Sequence, residues 1–187
     1  MERPDQRIEY FAFNRLLQNS TTKNPITTVR LIASEGGIRK AELVVSQLFK
    51  ENHLRTEARS HCLSACALVF LAGETRILLP ANDSEEPTIL AFHGYYHPTT
   101  LELVTPQPED INYLIESTNG RISRQLAWKI LQTRDHNGGL IVFEPSTARK
   151  LGKVPVSYCD KPADSEVATC ETLDKSAHDL GLISASQ

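Results

Sequence analysis

A single α/β domain with a largely parallel sheet is predicted by three observations. Runs rich in β-branched residues alternate with helically spaced ones along most of the chain, as βαβ crossovers require. Glycines stand where the pattern changes, at Gly36-Gly37 and at Gly73. With no internal repeat, 187 residues of 40% hydrophobic content suffice for one substantial core.

Each element has a local reason. Ile8, Phe11, Phe13, Leu16 and Leu17 fall mostly on one helical face, which predicts a helix over 7–19. Thr28-Val-Arg-Leu-Ile-Ala33 predicts a strand over 27–33, ended by the glycine pair. A helix over 38–51 follows, then a strand over 54–59 that leads into a helix over 64–72. Ala72-Gly73 stops that helix before a strand over 75–79. The polar run from Asn82 to Pro87 is a loop, and the strand 88–92 comes after it. Two or three helices fill 108–133, with a turn at Asn119-Gly-Arg121 and with Trp128, Ile130 and Leu131 as packing residues. The domain is expected over 1–155. Residues 156–187 read as a polar C-terminal tail with a short helix near 171–181.

Composition excludes several functions. The net charge of −3 and the scattered basic residues give no footprint for nucleic acid. The longest apolar run, Ala65 to Ala72, is too short to span a bilayer. Met1-Glu-Arg-Pro-Asp-Gln-Arg7 is polar and is not a signal peptide.

Four cysteines bear on the compartment. Cys159 and Cys170 flank a polar loop, and a disulfide closing it would stabilise by about 3 kcal/mol in the chain-entropy model. Cys62 and Cys66 can pair only if Cys62 lies before the helix proper. An even count with such a loop favours an oxidising compartment and an exported protein; a cytosolic protein is the alternative. The spacing of His61, Cys62, Cys66 and His93 is not that of a zinc site, and no metal is expected.

Three segments carry the chemistry. Ser64 opens an otherwise apolar helix, whose N-terminal N–H groups suit a developing oxyanion. Gly36-Gly37 can turn a backbone N–H into a cleft. His93 ends the strand Ile89-Leu-Ala-Phe-His93 and is the natural base for a serine hydroxyl. Gly94-Tyr-Tyr-His-Pro98 follows directly, so Tyr95, Tyr96 and His97 form either one wall of a cleft or a plain loop.

These segments resemble a known family. Val29 to Leu43, Cys62-Leu-Ser-Ala-Cys-Ala-Leu-Val-Phe-Leu-Ala-Gly73, Ala91-Phe-His-Gly94 and Pro145-Ser-Thr-Ala-Arg-Lys-Leu-Gly152 are similar to the Clp protease proteolytic subunit and its crotonase-fold relatives. The nearest resemblance is to a periplasmic branch with Cys-x-Ser-Ala-Cys and Phe-Leu-Ala-Gly. It covers roughly residues 8–155 and implies a crotonase fold of repeated ββα-type units whose first strand is missing here. It implies a truncated or mature form.

The resemblance assigns Ser64 as nucleophile, His93 as general base, and the N–H groups of Gly37 and Ala65 as oxyanion hole. The family's aspartate has no match within Asn137-Gly-Gly-Leu-Ile-Val-Phe143; Asp135 lies a few residues early and Glu144 slightly late. A serine–lysine dyad through Lys40 or Lys129 is the variant of related signal peptide peptidases. The implied function is a serine peptidase acting on peptide or protein substrates, without a cofactor, and assembling as a homo-oligomer. A thioester hydrolase, for which Glu35 is the adjacent acid, and a silent binding protein are the alternatives.

Overall fold

The strand Thr28–Ser34 (β1) runs parallel to Arg55–Leu63 (β2), and this pair places the first glycine turn beside the first serine-led helix. The computed structural model describes residues 15, 17–19, 25–80, 87–97, 99–100, 102–133, 139–144, 154–160 and 169–184. Most of the expected helix 7–19, the segment 145–152 and Asp135 lie outside the described residues.

Seven strands form one sheet. Beyond β1 and β2 they are Arg76–Leu78 (β3), Thr88–Phe92 (β4), Gly139–Glu144 (β5), Val156–Asp160 (β6) and Thr169–Thr172 (β7). β2 is the hub of the parallel half. Its start pairs with β3 and its end, from His61 to Leu63, with β4. From β4 onward the pairing is antiparallel, through β5 and β6 to β7. The sheet is therefore mixed: parallel through β4 as expected, and antiparallel beyond it. The antiparallel half was not anticipated, because β6 and β7 are short and polar in sequence.

Four helices are described: Arg39–Glu51 (α1), Ala65–Leu71 (α2), Pro108–Ser117 (α3) and Arg124–Leu131 (α4). α1 presents Ala41, Val45 and Phe49 on one side and ends where the Asn52 side chain donates to the Leu48 carbonyl at 2.9 Å. α3 starts with Pro108 at its first turn and a reciprocal cap between Gln107 and Asp110. Ser123 caps α4 by accepting from the Leu126 N–H at 3.2 Å.

α2 is buried on every face, which is why its sequence is apolar all round. It packs with Leu90 and Phe92 of β4, Leu114 of α3 and Ile130 of α4 in the main core. Gly73 follows because Thr56 leaves no room for a side chain there: an added Cβ would stand 2.2 Å from Thr56 Oγ1. That hydroxyl donates to the Phe70 carbonyl at 2.8 Å.

The C-terminal segment corrects the expected tail. β6 and β7 extend the sheet, and Ala177, Leu180, Leu182 and Ile183 belong to the main core. Where a helix was expected over 171–181, the chain forms β7 and then a series of turns. Both cysteine pairs are disulfides, Cys62–Cys66 and Cys159–Cys170. Cys62 lies on β2, before the helix, which meets the geometric condition for the first pair.

Glu57, near the start of β2, is 6% exposed and held by two arginines. Arg30, its register partner on β1, donates at 3.0 and 2.8 Å, and Arg55 closes to 2.7 Å. Burial would raise the carboxyl's pKa, but Arg30 and Arg55 together hold it below the ordinary value. A depressed folded pKa gives stability that is present above the unfolded value, near 4.3, and is lost as pH falls through the folded one. Glu57→Gln is expected to cost about 1 kcal/mol at pH 7, since both arginines are half-exposed. In urea titrations the gap between the two proteins should close as pH falls below the ordinary carboxylate range; a constant gap would rule this linkage out.

Candidate functional site

The parallel pairing of β2 with β4 brings the sequence's two main candidates to adjacent strand ends. Leu63 is in register with Ala91, and the Ser64 N–H donates to the Ala91 carbonyl at 2.8 Å. Ser64 and His93 are thus the first residues past the carboxyl ends of neighbouring strands, where open parallel sheets place their ligands.

Ser64 is strained. Its φ of 56° is one that side-chain-bearing residues rarely adopt. The bond to Ala91 on one side, the α2 turn on the other and the Cys62–Cys66 bridge across it enforce this conformation. A strand-to-helix turn of this kind lifts a serine hydroxyl clear of the backbone. The Ser64 side chain does not cap α2, so the bland role for a serine at a helix start is not the one seen.

The glycine turn lies against this serine. Gly36 has φ +102°, and a Cβ there would stand 2.7 Å from Ser64 Cβ and 3.0 Å from the Ala65 nitrogen. A register shift in the β1–β2 pairing between Ile32 and Ser34 precedes the turn, as bulges often do beside sites. The structure thus brings Gly36, Ser64 and Ala65 together.

His93 is 7% exposed. Its Nδ1 lies 2.7 Å from the Gly94 carbonyl oxygen. A carbonyl only accepts, so Nδ1 carries the hydrogen of this contact. Tyr96 packs at 5.8 Å between ring centroids. Gly139, the first residue of β5, approaches from the other side: its Cβ would lie 3.3 Å from His93 Cβ.

A cavity of about 290 Å³ opens beside the turn, between β1, α1 and α2. Gly36, Gly37 and Ala65 line it, together with the apolar side chains of Leu31, Val45 and Val69. Among the described residues one charged group lines it, Glu42, which is 2% exposed. Tyr95 donates to Glu42 at 3.3 Å and Ser46 at 3.4 Å. Burial is the main cause that pushes its carboxyl up to about 7, despite Tyr95 and Arg39 pulling the other way. Arg39 is engaged elsewhere, donating to Asp110 of α3 through Nε at 2.8 Å and through Nη2.

Glu42 was missed in the sequence. The signal was a carboxylate between Ala41 and Val45 on the apolar stripe of α1, where a charge is seldom buried unpaired. In the segment read as either a cleft wall or a plain loop, Tyr95 donates to Glu42, whereas His97 is exposed.

Other candidates are placed elsewhere. Lys129 stacks over the Tyr158 ring at 3.8 Å, and Lys40 is exposed on α1. Glu35 is exposed and pairs with His61 at 3.0 Å. Cys62 and Cys66 are bonded to each other, so neither offers a thiolate to a metal. The side chain of Glu144 lies outside the described residues, as does Asp135. Trp128, expected in the core, is 39% exposed, whereas Ile130 and Leu131 are buried. Among the described residues no helix is long and apolar enough to cross a membrane.

No family model matches the chain, and no curated protein does. Among solved structures it is similar to a serine-to-alanine mutant of the membrane-bound stomatin-specific protease 1510-N, with 13% sequence identity and a TM-score of 0.44 over 66% of this chain. The chain spans 63% of the length of that protein.

Proposed function

We propose that this chain is a serine hydrolase of the peptidase type, with Ser64 as nucleophile and His93 as general base. The observation that carries the reading is the backbone of Ser64: a positive φ at a strand-to-helix turn, packed against a positive-φ glycine. Strain of this kind costs on the order of 1–3 kcal/mol and persists where the surroundings enforce it, most often at functional sites.

The proposed reaction runs as a standard acyl transfer. His93 Nε2 takes the Ser64 proton as Oγ attacks a carbonyl carbon. The carbonyl oxygen, now negative, is met by the N–H groups of Gly37 and Ala65; the latter belongs to the first turn, where no intrahelical acceptor exists. His93 then returns the proton to the leaving amine, and water repeats the sequence on the acyl-enzyme. The Gly94 carbonyl orients the imidazole in the role a carboxylate fills in triads. Asp135, four residues before Gly139, is the candidate to add a charge to that role.

Peptide is the substrate class favoured by the sheet edge. Among the described residues β1 pairs only with β2, and its other edge is where an extended chain would dock beside Gly36-Gly37. Ile32 and Ile38, 58% and 56% exposed, flank that edge and supply apolar contacts for a peptide or a second copy. Two disulfides support an exported, oxidising location.

Labelling with a fluorophosphonate, with the adduct mapped by mass spectrometry, tests the reading. The folded, oxidised protein is expected to label at Ser64. Ser64→Ala should abolish the adduct, and His93→Ala should slow it by about 10³-fold or more. A folded sample that does not label would refute the hydrolase reading and leave a binding role for the fold.

A further inference from the structure

We propose that Glu42 makes the cavity beside the glycine turn a site for a primary amine on an aliphatic stem, the chemistry of a lysine side chain. The inference rests on the hydrolase reading in naming that side chain as part of a substrate, but the amine site stands on its own geometry.

Three observations carry it. First, Glu42 is the charged residue lining an otherwise mostly aliphatic cavity, and its direct partners are two long hydrogen bonds from hydroxyl groups, at 3.3 and 3.4 Å. Neither is a cation. Second, the Arg39 guanidinium hydrogen-bonds Asp110 on α3 and not Glu42, so it acts on the carboxyl only through its charge. Third, the cavity's size of about 290 Å³ and its walls of Leu31, Val45 and Val69 suit a short polymethylene chain whose ammonium reaches the carboxyl. Gly37 and Ala65, whose N–H groups are the proposed oxyanion hole, line the same cavity.

The protonation of Glu42 sets the pH dependence. The groups facing it are Arg39 and Ser46 on its own helix, Tyr95 from the loop after β4, and Asp110 and Tyr113 from α3. β1 and α2 contribute aliphatic side chains, the Ser34 hydroxyl and Cys66, which is in a disulfide and does not titrate. The carboxyl becomes charged as pH rises through about 7. Affinity for an ammonium should rise with it, and affinity for a neutral isostere should not.

The experiment is an amide-resolved NMR titration of the full oxidised chain with n-butylamine and with 1-butanol at pH 6 and pH 8, read at Gly36, Gly37 and Ala65. At pH 8 the amine is expected to bind at least about tenfold tighter than the alcohol, the scale of one charge-assisted contact in a partly desolvated site. The preference should shrink at pH 6. It should fall to within about twofold in Glu42→Gln, with partial recovery in Glu42→Asp. Equal affinity at pH 8, or a preference that survives in Glu42→Gln, would overturn the proposal.

Labelling of Ser64 is read separately on the same samples. Labelling without amine selectivity removes this inference and leaves the hydrolase. Amine selectivity without labelling keeps the site and removes the hydrolase.

Discussion

Gly36→Ala is expected to reduce fluorophosphonate labelling of Ser64 by at least about 10²-fold while the protein stays folded. Two terms act together. The φ of +102° is one an alanine adopts only under strain, at a cost of about 1 kcal/mol or more. The second term is steric and bears on the site. The new methyl would stand 2.7 Å from the Leu63 carbonyl oxygen, 2.7 Å from Ser64 Cβ and 3.0 Å from the Ala65 nitrogen. None of these is the far end of a flexible side chain, so the glycine turn or the serine turn must shift. Either movement separates the nucleophile from the N–H groups proposed to receive the oxyanion.

Gly120→Ala is the control. Gly120 also has positive φ, at +74°, but an added Cβ meets nothing within 4 Å. It should lose a similar strain energy and label like the wild type. If Gly36→Ala labels as fast as Gly120→Ala, the close approach of the two turns has no part in activating Ser64, and the hydrolase reading loses its main support.

The sequence disclosed the parts of this site better than their support. Ser64, His93 and the glycine pair each sit at the end of a local element, so local patterns betray them. What could not be seen was that β2 continues past residue 59 to Leu63. His61-Cys-Leu63 is strand because β4 pairs with it from 28 residues away. The same holds for β6, whose Val156-Ser-Tyr-Cys-Asp160 looked like polar tail but has Val156 and Cys159 buried against a sheet partner earlier in the chain. Glu42 was hidden for a related reason: its hydroxyl partner Tyr95 lies 53 residues on. Short-range periodicity locates elements, but the partner that makes a polar residue tolerable in the core is a long-range fact.

Arg76 is the extreme case, and its removal should have the largest effect on stability. Its side chain is 8% exposed, with no carboxylate among its hydrogen-bond partners in the described residues. Its guanidinium instead donates to three carbonyls, Leu71 at 3.0 Å, Ser117 at 2.6 Å and Gly181 at 2.9 Å. Leu71 and Ser117 are the last residues of α2 and α3, so one cation meets the exposed carbonyls and the negative dipole ends of two helices. The third carbonyl belongs to the C-terminal segment, which Ser184 also ties to the Arg76 backbone, donating at 2.9 Å and accepting at 2.9 Å.

Arg76→Met keeps most of the volume and leaves three buried acceptors without this donor, so a loss of about 3–4 kcal/mol is expected. That is a large part of the total stability of a domain this size. Arg76→Lys should recover only part of it, because a single ammonium cannot reproduce the planar fork. Denaturant titration gives the loss, and hydrogen exchange locates it: protection should fall first at Ala177, Leu180 and Leu182, in the segment this side chain joins to both helix ends. A loss below about 1 kcal/mol in Arg76→Met would mean that apolar packing alone holds the C-terminal segment in the core.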